Sequence, residues 1–259
     1  MAATIPAMQI SGLAELQFSV NPIARRTHFR FHVRKLKQTL FITGTDTGAG
    51  KTVLTALLAQ FLRARGVNAA ALKPVCSGGR ADARALRAAM DGALPLDEIN
   101  PWHFRAPLAP LLAARRERKH VHLSEALAHI RSMQKRFDVL LVEGAGGLLS
   151  PLGENFDSGD LIAALDALPL VVAPNRLGAV NHILLTLEAL PRSAAARARV
   201  VLMFPPKRDA AIATNAKLLA GFFDARRIFT LPWLGENFSA GEILKNPQVR
   251  RTLRALTSA

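Results

Sequence analysis

One cysteine, no tyrosine and two tryptophans stand in this chain of 259 residues, with 19 acidic side chains against 34 lysines and arginines. Cys76 alone excludes an intramolecular disulfide and suits a reducing compartment, so a cytoplasmic protein is expected. No stretch reaches the roughly 18 uninterrupted apolar residues of a membrane span, and no membrane partner is expected. Repeats and long Pro/Gly/Ser-rich linkers are missing, which speaks against a second independent domain. His103, His120, His122, His129 and His182 show no metal-ligand spacing with cysteine or with one another, and no Ser/His/Asp arrangement stands out. Trp102 and Trp233 read as packing residues. The arginines on helix faces, such as Arg63, Arg65, Arg84 and Arg87, lack the interleaved aromatics of a single-strand binder. No nucleic-acid partner is expected, and the net charge of +15 is read as a solvated basic surface that attracts anionic substrates.

Part of that charge lies at the start. Residues 1 to 40 hold six basic residues and one acid, leaving 28 basic and 18 acidic for positions 41 to 259. Residues 1–38 are irregular, with Pro6 and Pro22, and three readings stay open: a transit peptide, a disordered extension, or an upstream start codon. The catalytic domain is expected to be residues 39–259.

Half of the residues are hydrophobic, enough for one large α/β domain. Apolar runs at Leu40–Thr43, Ala69–Pro74, Val139–Glu143, Leu170–Ala173, Val200–Phe204 and Ile228–Leu231 read as buried parallel strands, which show no alternation. Helical segments fall between them at Thr52–Arg65, Asp82–Met90, Ser124–Lys135, Ala179–Leu190 and Asp209–Phe223, with Ser124 and Glu125 marking a helix start. The alternation predicts a P-loop NTPase-type α/β fold, a doubly wound and mostly parallel sheet flanked by helices, with its site at the carboxyl ends of the strands.

The stretch from Phe41 to Thr52 identifies that site. A strand runs into Gly44-Thr45-Asp46-Thr47-Gly48-Ala49-Gly50-Lys51-Thr52 and then into an amphipathic helix. Its glycines let backbone N–H groups curl onto phosphate oxygens, and the helix start adds the positive end of its dipole. Lys51 is placed for the β/γ-phosphates and the Thr52 hydroxyl for Mg²⁺. Five residues separate Gly44 from Gly50, one more than the common loop has.

Two further strand ends carry chemistry. Lys73 closes the second run, in Lys73-Pro74-Val75-Cys76-Ser77-Gly78. A buried lysine there needs an anion or a carboxylate, and a lysine snorkelling to the surface is the plain alternative. Asp82 follows at the start of the next helix, where a plain helix cap is the simple reading. Glu143 closes the third run ahead of Gly144-Ala145-Gly146-Gly147, where a Mg²⁺-associated carboxylate belongs.

Together with Leu177-Gly178-Ala179-Val180-Asn181-His182 and Leu231-Pro232-Trp233-Leu234-Gly235-Glu236-Asn237, these blocks resemble the dethiobiotin synthetase family, in the family's order and over Leu40 to about Phe238. The loop alone also resembles the partition-type and cobyrinate-amidating ATPases, so a dimeric switch or an amidoligase is the alternative. The resemblance implies conversion of 7,8-diaminononanoate, CO₂ (or bicarbonate) and ATP to dethiobiotin, ADP and phosphate, with Mg²⁺. It implies Lys51 and Lys73 as catalytic residues and Thr52, Asp82 and Glu143 as metal-associated. Gly48, Ala49, Gly50, Lys51, Thr52, Glu143, Gly146 and Pro232 fall at the nucleotide. Thr47, Ser77, Gly178, Ala179, Val180 and Asn181 fall at the substrate, the last four reaching the site of the other subunit in a homodimer. Two positions depart from the family: Gly48 stands where some members carry Glu, and Phe204 where an Asn often reads adenine. Weak discrimination among nucleotide bases is therefore expected.

Overall fold

Six wholly parallel strands form the central sheet of a computed structural model that describes residues 37–207, 210–235 and 240–258. In chain order the strands and helices are β1 (Gln38–Gly44), α1 (Lys51–Arg63), β2 (Ala69–Leu72), β3 (Val75–Ser77), α2 (Ala81–Ala89), α3 (Leu96–Ile99), β4 (Trp102–Phe104), α4 (Pro110–Arg116), α5 (Leu123–Arg136), β5 (Val139–Glu143), α6 (Ser158–Ala164), β6 (Leu168–Pro174), α7 (Ala179–Ala189), α8 (Arg192–Ala195), β7 (Arg199–Met203), α9 (Asn215–Leu219), β8 (Ile228–Leu231), α10 (Ala240–Ile243) and α11 (Pro247–Thr257).

The sheet order is β2-β5-β1-β6-β7-β8. From β1 the chain crosses to the β2 side through α1, then reverses and moves steadily the other way through α5, α6, α7 and α9. Right-handed crossovers place α1 on one face and the later helices on the other. Helix α11 returns from β8 to the first face, where it packs on α1, as α2 also does. The strands read as unbroken apolar runs because both faces are covered: Leu40, Phe41, Ile42, Leu141, Val142, Val171 and Val172 are all fully buried. Register aligns the strand ends: Ile42 lies opposite Glu143 on β5, and Gly44 opposite Val172 on β6. The carboxyl ends of β1, β2 and β5 thus open together, where the connections diverge to opposite faces.

Several boundaries differ from the sequence reading, for local reasons. The second run ends as a sheet strand at Leu72. Pro74 has no N–H for a ladder, and the chain turns out to build a separate parallel pair, β3 with β4, that sequence patterning did not reveal. Helix α5 starts at Leu123, capped from His122, whose N–H donates to the Glu125 carboxylate. Helix α7 ends at Ala189, because Leu190 precedes Pro191 and is pushed to extended backbone. The expected helix over Asp209–Phe223 shrinks to Asn215–Leu219, with turns before it. Asn215 is drawn inward there to bond Asn175 and the Arg176 carbonyl. Asp209, residues 1–36 and Glu236 to Phe238 lie outside the described residues.

Candidate active site

The loop between β1 and α1 is wound as its glycines require. Gly48 and Gly50 have φ of 73° and 97°, a left-handed backbone that other residues adopt only with strain. At Gly50 a side chain would also strike Met203, whose Cγ lies 3.1 Å from the position of a Cβ.

Lys51 opens α1 and folds back under the loop. Its Nζ donates to the Asp46 carbonyl at 2.8 Å and to the Gly146 carbonyl at 2.7 Å, tying the loop to the turn after β5. Burial, followed by the neighbouring Lys73 ammonium, brings its pKa down to about 8.

Lys73 settles the snorkelling question. It is 3 % exposed, and its Nζ donates to Glu143 Oε1 at 2.7 Å and to the Gly144 carbonyl at 3.0 Å, and pairs with Asp82 Oδ2 at 3.0 Å. Burial opposes its charge, but Glu143 and Asp82 outweigh that and hold the ammonium above its ordinary pKa. Asp82 sits inside the first turn of α2, and no side-chain cap bond is made at that helix start. Burial disfavours its charge too, yet the Lys73 ammonium outweighs this and keeps the carboxyl below its usual range.

Glu143, at the end of β5, joins Lys73 beyond β2 to Thr52 in the first turn of α1. Its Oε1 accepts from Lys73 and, at 2.7 Å, from the Thr52 hydroxyl. Its Oε2 is buried and has no hydrogen-bond partner. A buried carboxylate oxygen without a partner is costly unless something else meets it. A hard cation held by Glu143, Thr52 and Asp82 would meet that need. Mg²⁺ takes only one or two carboxylates from a protein and fills its octahedron with phosphate oxygens and water. No cluster of three or more His, Cys, Asp or Glu able to hold a metal occurs among the described residues.

A cleft of about 670 Å³ brings together Thr47, Gly48, Gly50, Lys51, Thr52, Lys73, Ser77, Asp82 and Gly146, with Glu143 buried behind its lining. The Ser77 hydroxyl faces the opposite wall, donating to the Leu108 carbonyl at 2.5 Å. Ala49 and Pro232 belong to a second cavity, of about 380 Å³, on the other side of Gly48 and Gly50. Gly178, Ala179, Val180 and Asn181 line neither. They form the start of α7, with Gly178 in the left-handed region at φ 85°, Ala179 buried and Asn181 exposed.

Sequence reasoning missed the far wall of the cleft, Pro107 to Pro110 and Ser150, and a buried support behind Lys73. Asn100 is fully buried; its amide donates to the carbonyls of Lys73 at 2.7 Å and Trp102 at 3.2 Å, while its oxygen accepts from Arg80 and Cys76 at 3.2 Å. It holds the Lys73 segment in place. In sequence it stands only as the first half of an Asn-Pro pair, a common turn signal.

Residues 38–237 match the family described as AAA domain. The ATP-dependent dethiobiotin synthetase BioD of Anaeromyxobacter dehalogenans (strain 2CP-C) is 41% identical over 224 residues, covering 85% of this chain and 95% of that protein. The protein of the same name from Akkermansia muciniphila is 38% identical over 196 residues, covering 75% and 89%. Among solved structures, a ParA family ATPase from Chlorobium tepidum TLS superposes with a TM-score of 0.53 at 13% identity, covering 86% of this chain and 98% of that one. The MinC:MinD cell division protein complex of Aquifex aeolicus gives 0.53 at 14% identity, covering 85% and 95%. At such identities the structures speak to the fold alone.

Proposed function

The chain belongs to the ATP-dependent dethiobiotin synthetase family, and from that premise we propose how its own residues carry the reaction. It is an ATP-dependent ligase that closes a ring through carbon–nitrogen bonds. We read the substrates as 7,8-diaminononanoate, carbon dioxide and ATP. One amine adds to carbon dioxide and loses a proton, giving a carbamate. The carbamate oxygen takes the γ-phosphoryl group and ADP departs. The second amine attacks the carbonyl carbon and loses its proton; the cyclic urea forms and phosphate leaves.

The carbamate and the γ-phosphate repel each other, and their approach needs fixed positive charge that strengthens as they close. Lys51, at the start of α1, and Lys73, just after β2, supply it within one cleft. This convergence of two buried ammonium groups beside a phosphate loop is the observation that carries the reading. Mg²⁺, when bound, neutralises phosphate charge, and Thr52, Asp82 and Glu143 would hold it. Thr47 and Ser77 offer hydroxyls along the cleft. No histidine is asked to move a proton.

A homodimer belongs to the same reading. Leu149, Leu177 and Leu185 are 61%, 81% and 62% exposed around α7, an apolar surface suited to a second copy. The start of α7 at Gly178 to Asn181 would present its N–H groups to the substrate carboxylate in the partner's site. We place the start of the catalytic domain at Gln38, one residue ahead of the expected 39–259 because Gln38 already pairs with Val139 in β1, with the residues before it as an extension, and the enzyme in the cytoplasm. No helix among the described residues is long and apolar enough to cross a membrane.

The test is ATP hydrolysis by the full chain with and without diaminononanoate and bicarbonate, with mass detection of dethiobiotin. Product and ADP are expected together and only with both substrates present. ATP hydrolysis indifferent to both, with no dethiobiotin, would refute the reading.

A further inference from the structure

Building on the ligase reading above, we infer that this enzyme selects its phosphoryl donor by the triphosphate and not by the base, so that purine and pyrimidine nucleoside triphosphates all serve. The cavity of about 380 Å³ that shares Gly48 and Gly50 with the phosphate cleft is where a nucleotide held by the loop places its base. Its wall is built from Pro174, Met203, Phe204, Pro205, Pro206 and Pro232. Among the described residues that line it, no carboxylate, side-chain amide, hydroxyl or cation is present, and the indole N–H of half-exposed Trp233 is the one polar side-chain group.

Four of the lining residues are prolines, so the backbone donors of that wall narrow to Phe204 and the turn at Trp233, Leu234 and Gly235. Proline has no N–H, and the Phe204 N–H is spent on the Leu231 carbonyl at 2.9 Å. An amide does lie close by, but it faces inward. Asn175, directly after Pro174, is fully buried; its Nδ2 donates to the Ile212 carbonyl at 3.2 Å and its Oδ1 accepts from Asn215 at 2.8 Å. That network pins the end of β6 to α9 behind the wall and leaves the cavity apolar.

Bases differ in the donors and acceptors on their edges, whereas every base has a face that stacks on apolar groups. A site that hydrogen-bonds its ligand rejects a mismatched analogue by ~10⁴–10⁵, while an apolar pocket separates ligands by only ~10–200-fold. The triphosphate contacts of the loop are common to all four nucleotides and add affinity without selectivity.

The experiment measures kcat/KM for ATP, GTP, CTP and UTP with the full chain at saturating diaminononanoate and bicarbonate. All four are expected within about 100-fold. An ATP preference above about 10³ over each of the others would overturn the inference. Absence of turnover with every nucleotide would instead count against the ligase reading. Binding of the β,γ-imido analogues of ATP and GTP then decides the base question: Kd values within about 100-fold support the inference and a wider gap overturns it. Phe204→Asn puts a donor and an acceptor at the base edge. It is expected to raise the ATP-to-GTP ratio at least tenfold while inorganic triphosphate binds as before. An unchanged ratio would remove the base from this cavity.

Discussion

Lys73 is the residue at which charge, burial and chemistry are hardest to separate, and a pair of variants separates them. Its ammonium meets Glu143 at 2.7 Å and Asp82 at 3.0 Å. At about 3 Å and an effective dielectric near 20, each contact is worth ~5 kcal/mol, set against several kcal/mol of desolvation per ion. Lys73→Met removes the cation and leaves both carboxylates. The Asp82 side chain is 48% exposed and relaxes into water, but the Glu143 side chain is 0% exposed and keeps only the Thr52 hydroxyl. The uncompensated Glu143 therefore dominates the cost, about 3–5 kcal/mol. For a domain of this size that lowers Tm by roughly 6–20 °C. The loss of Lys73 is therefore expected to cost the fold as well as turnover.

Adding Glu143→Gln makes the buried group neutral. The double variant is expected to regain at least half of the lost Tm, as coupled neighbours do. Its turnover stays about 10²–10³-fold or more below wild type, because a preorganised charge at the reacting anions is still missing. Thermal unfolding and dethiobiotin formation, measured on the same preparations, read the two effects apart. A single variant with wild-type Tm would show that Glu143 is not carried as a buried anion. Turnover within tenfold of wild type would take Lys73 out of the chemistry.

Other expectations follow from the same geometry. Chelation with EDTA should stop turnover and added Mg²⁺ restore it, and Thr52→Val should raise the Mg²⁺ needed by about 10–100-fold; a metal-independent rate would refute the assignment of Thr52, Asp82 and Glu143. The Glu154 carboxyl is held down to about 2 from 4.5 by hydrogen bonds from Arg115 and then His120. A depressed acid stabilises above its unfolded value and loses that stability as pH falls through the folded one. The Tm gap between wild type and Glu154→Gln should thus be steady near neutrality and narrow between pH 4.5 and about 2, and a gap that widened on acidification would contradict the pairing. Deleting residues 1–36 should leave Tm and turnover largely unchanged, since that stretch shows no helical or strand periodicity; a large drop in Tm would show that it packs on the domain.

What was legible in the sequence follows from how local each requirement is. The phosphate loop is read from consecutive residues because glycine turns, Lys51 and Thr52 must adjoin. The sheet was visible because strands covered on both faces become unbroken apolar runs, and Lys73 and Glu143 stood out as charges closing such runs. Their pairing could not be read, since it depends on β2 and β5 being neighbours in register, with Leu72 opposite Val142. Asn100 was silent because its work is done on a carbonyl 27 positions earlier. The three-residue strands β3 and β4 carry Ser77 and His103, too short and too polar to show a period.

The cleft wall shows the same limit most clearly. Pro107 to Pro110 hold their place because Ala106 accepts from Gly78, while Leu111 donates to the Pro151 carbonyl and Arg115 grips Glu154. The first contact joins distant parts of the crossover from β2 to β5, and the other two join that crossover to the one between β5 and β6. No single segment carries the shape of the wall, so residues chosen for their chemistry announce themselves while residues chosen for their position do not. The cavity we propose for the base is the exception: its apolar wall includes Phe204-Pro205-Pro206, and a run of three such residues shows its lack of hydrogen-bonding side chains in one stretch of chain.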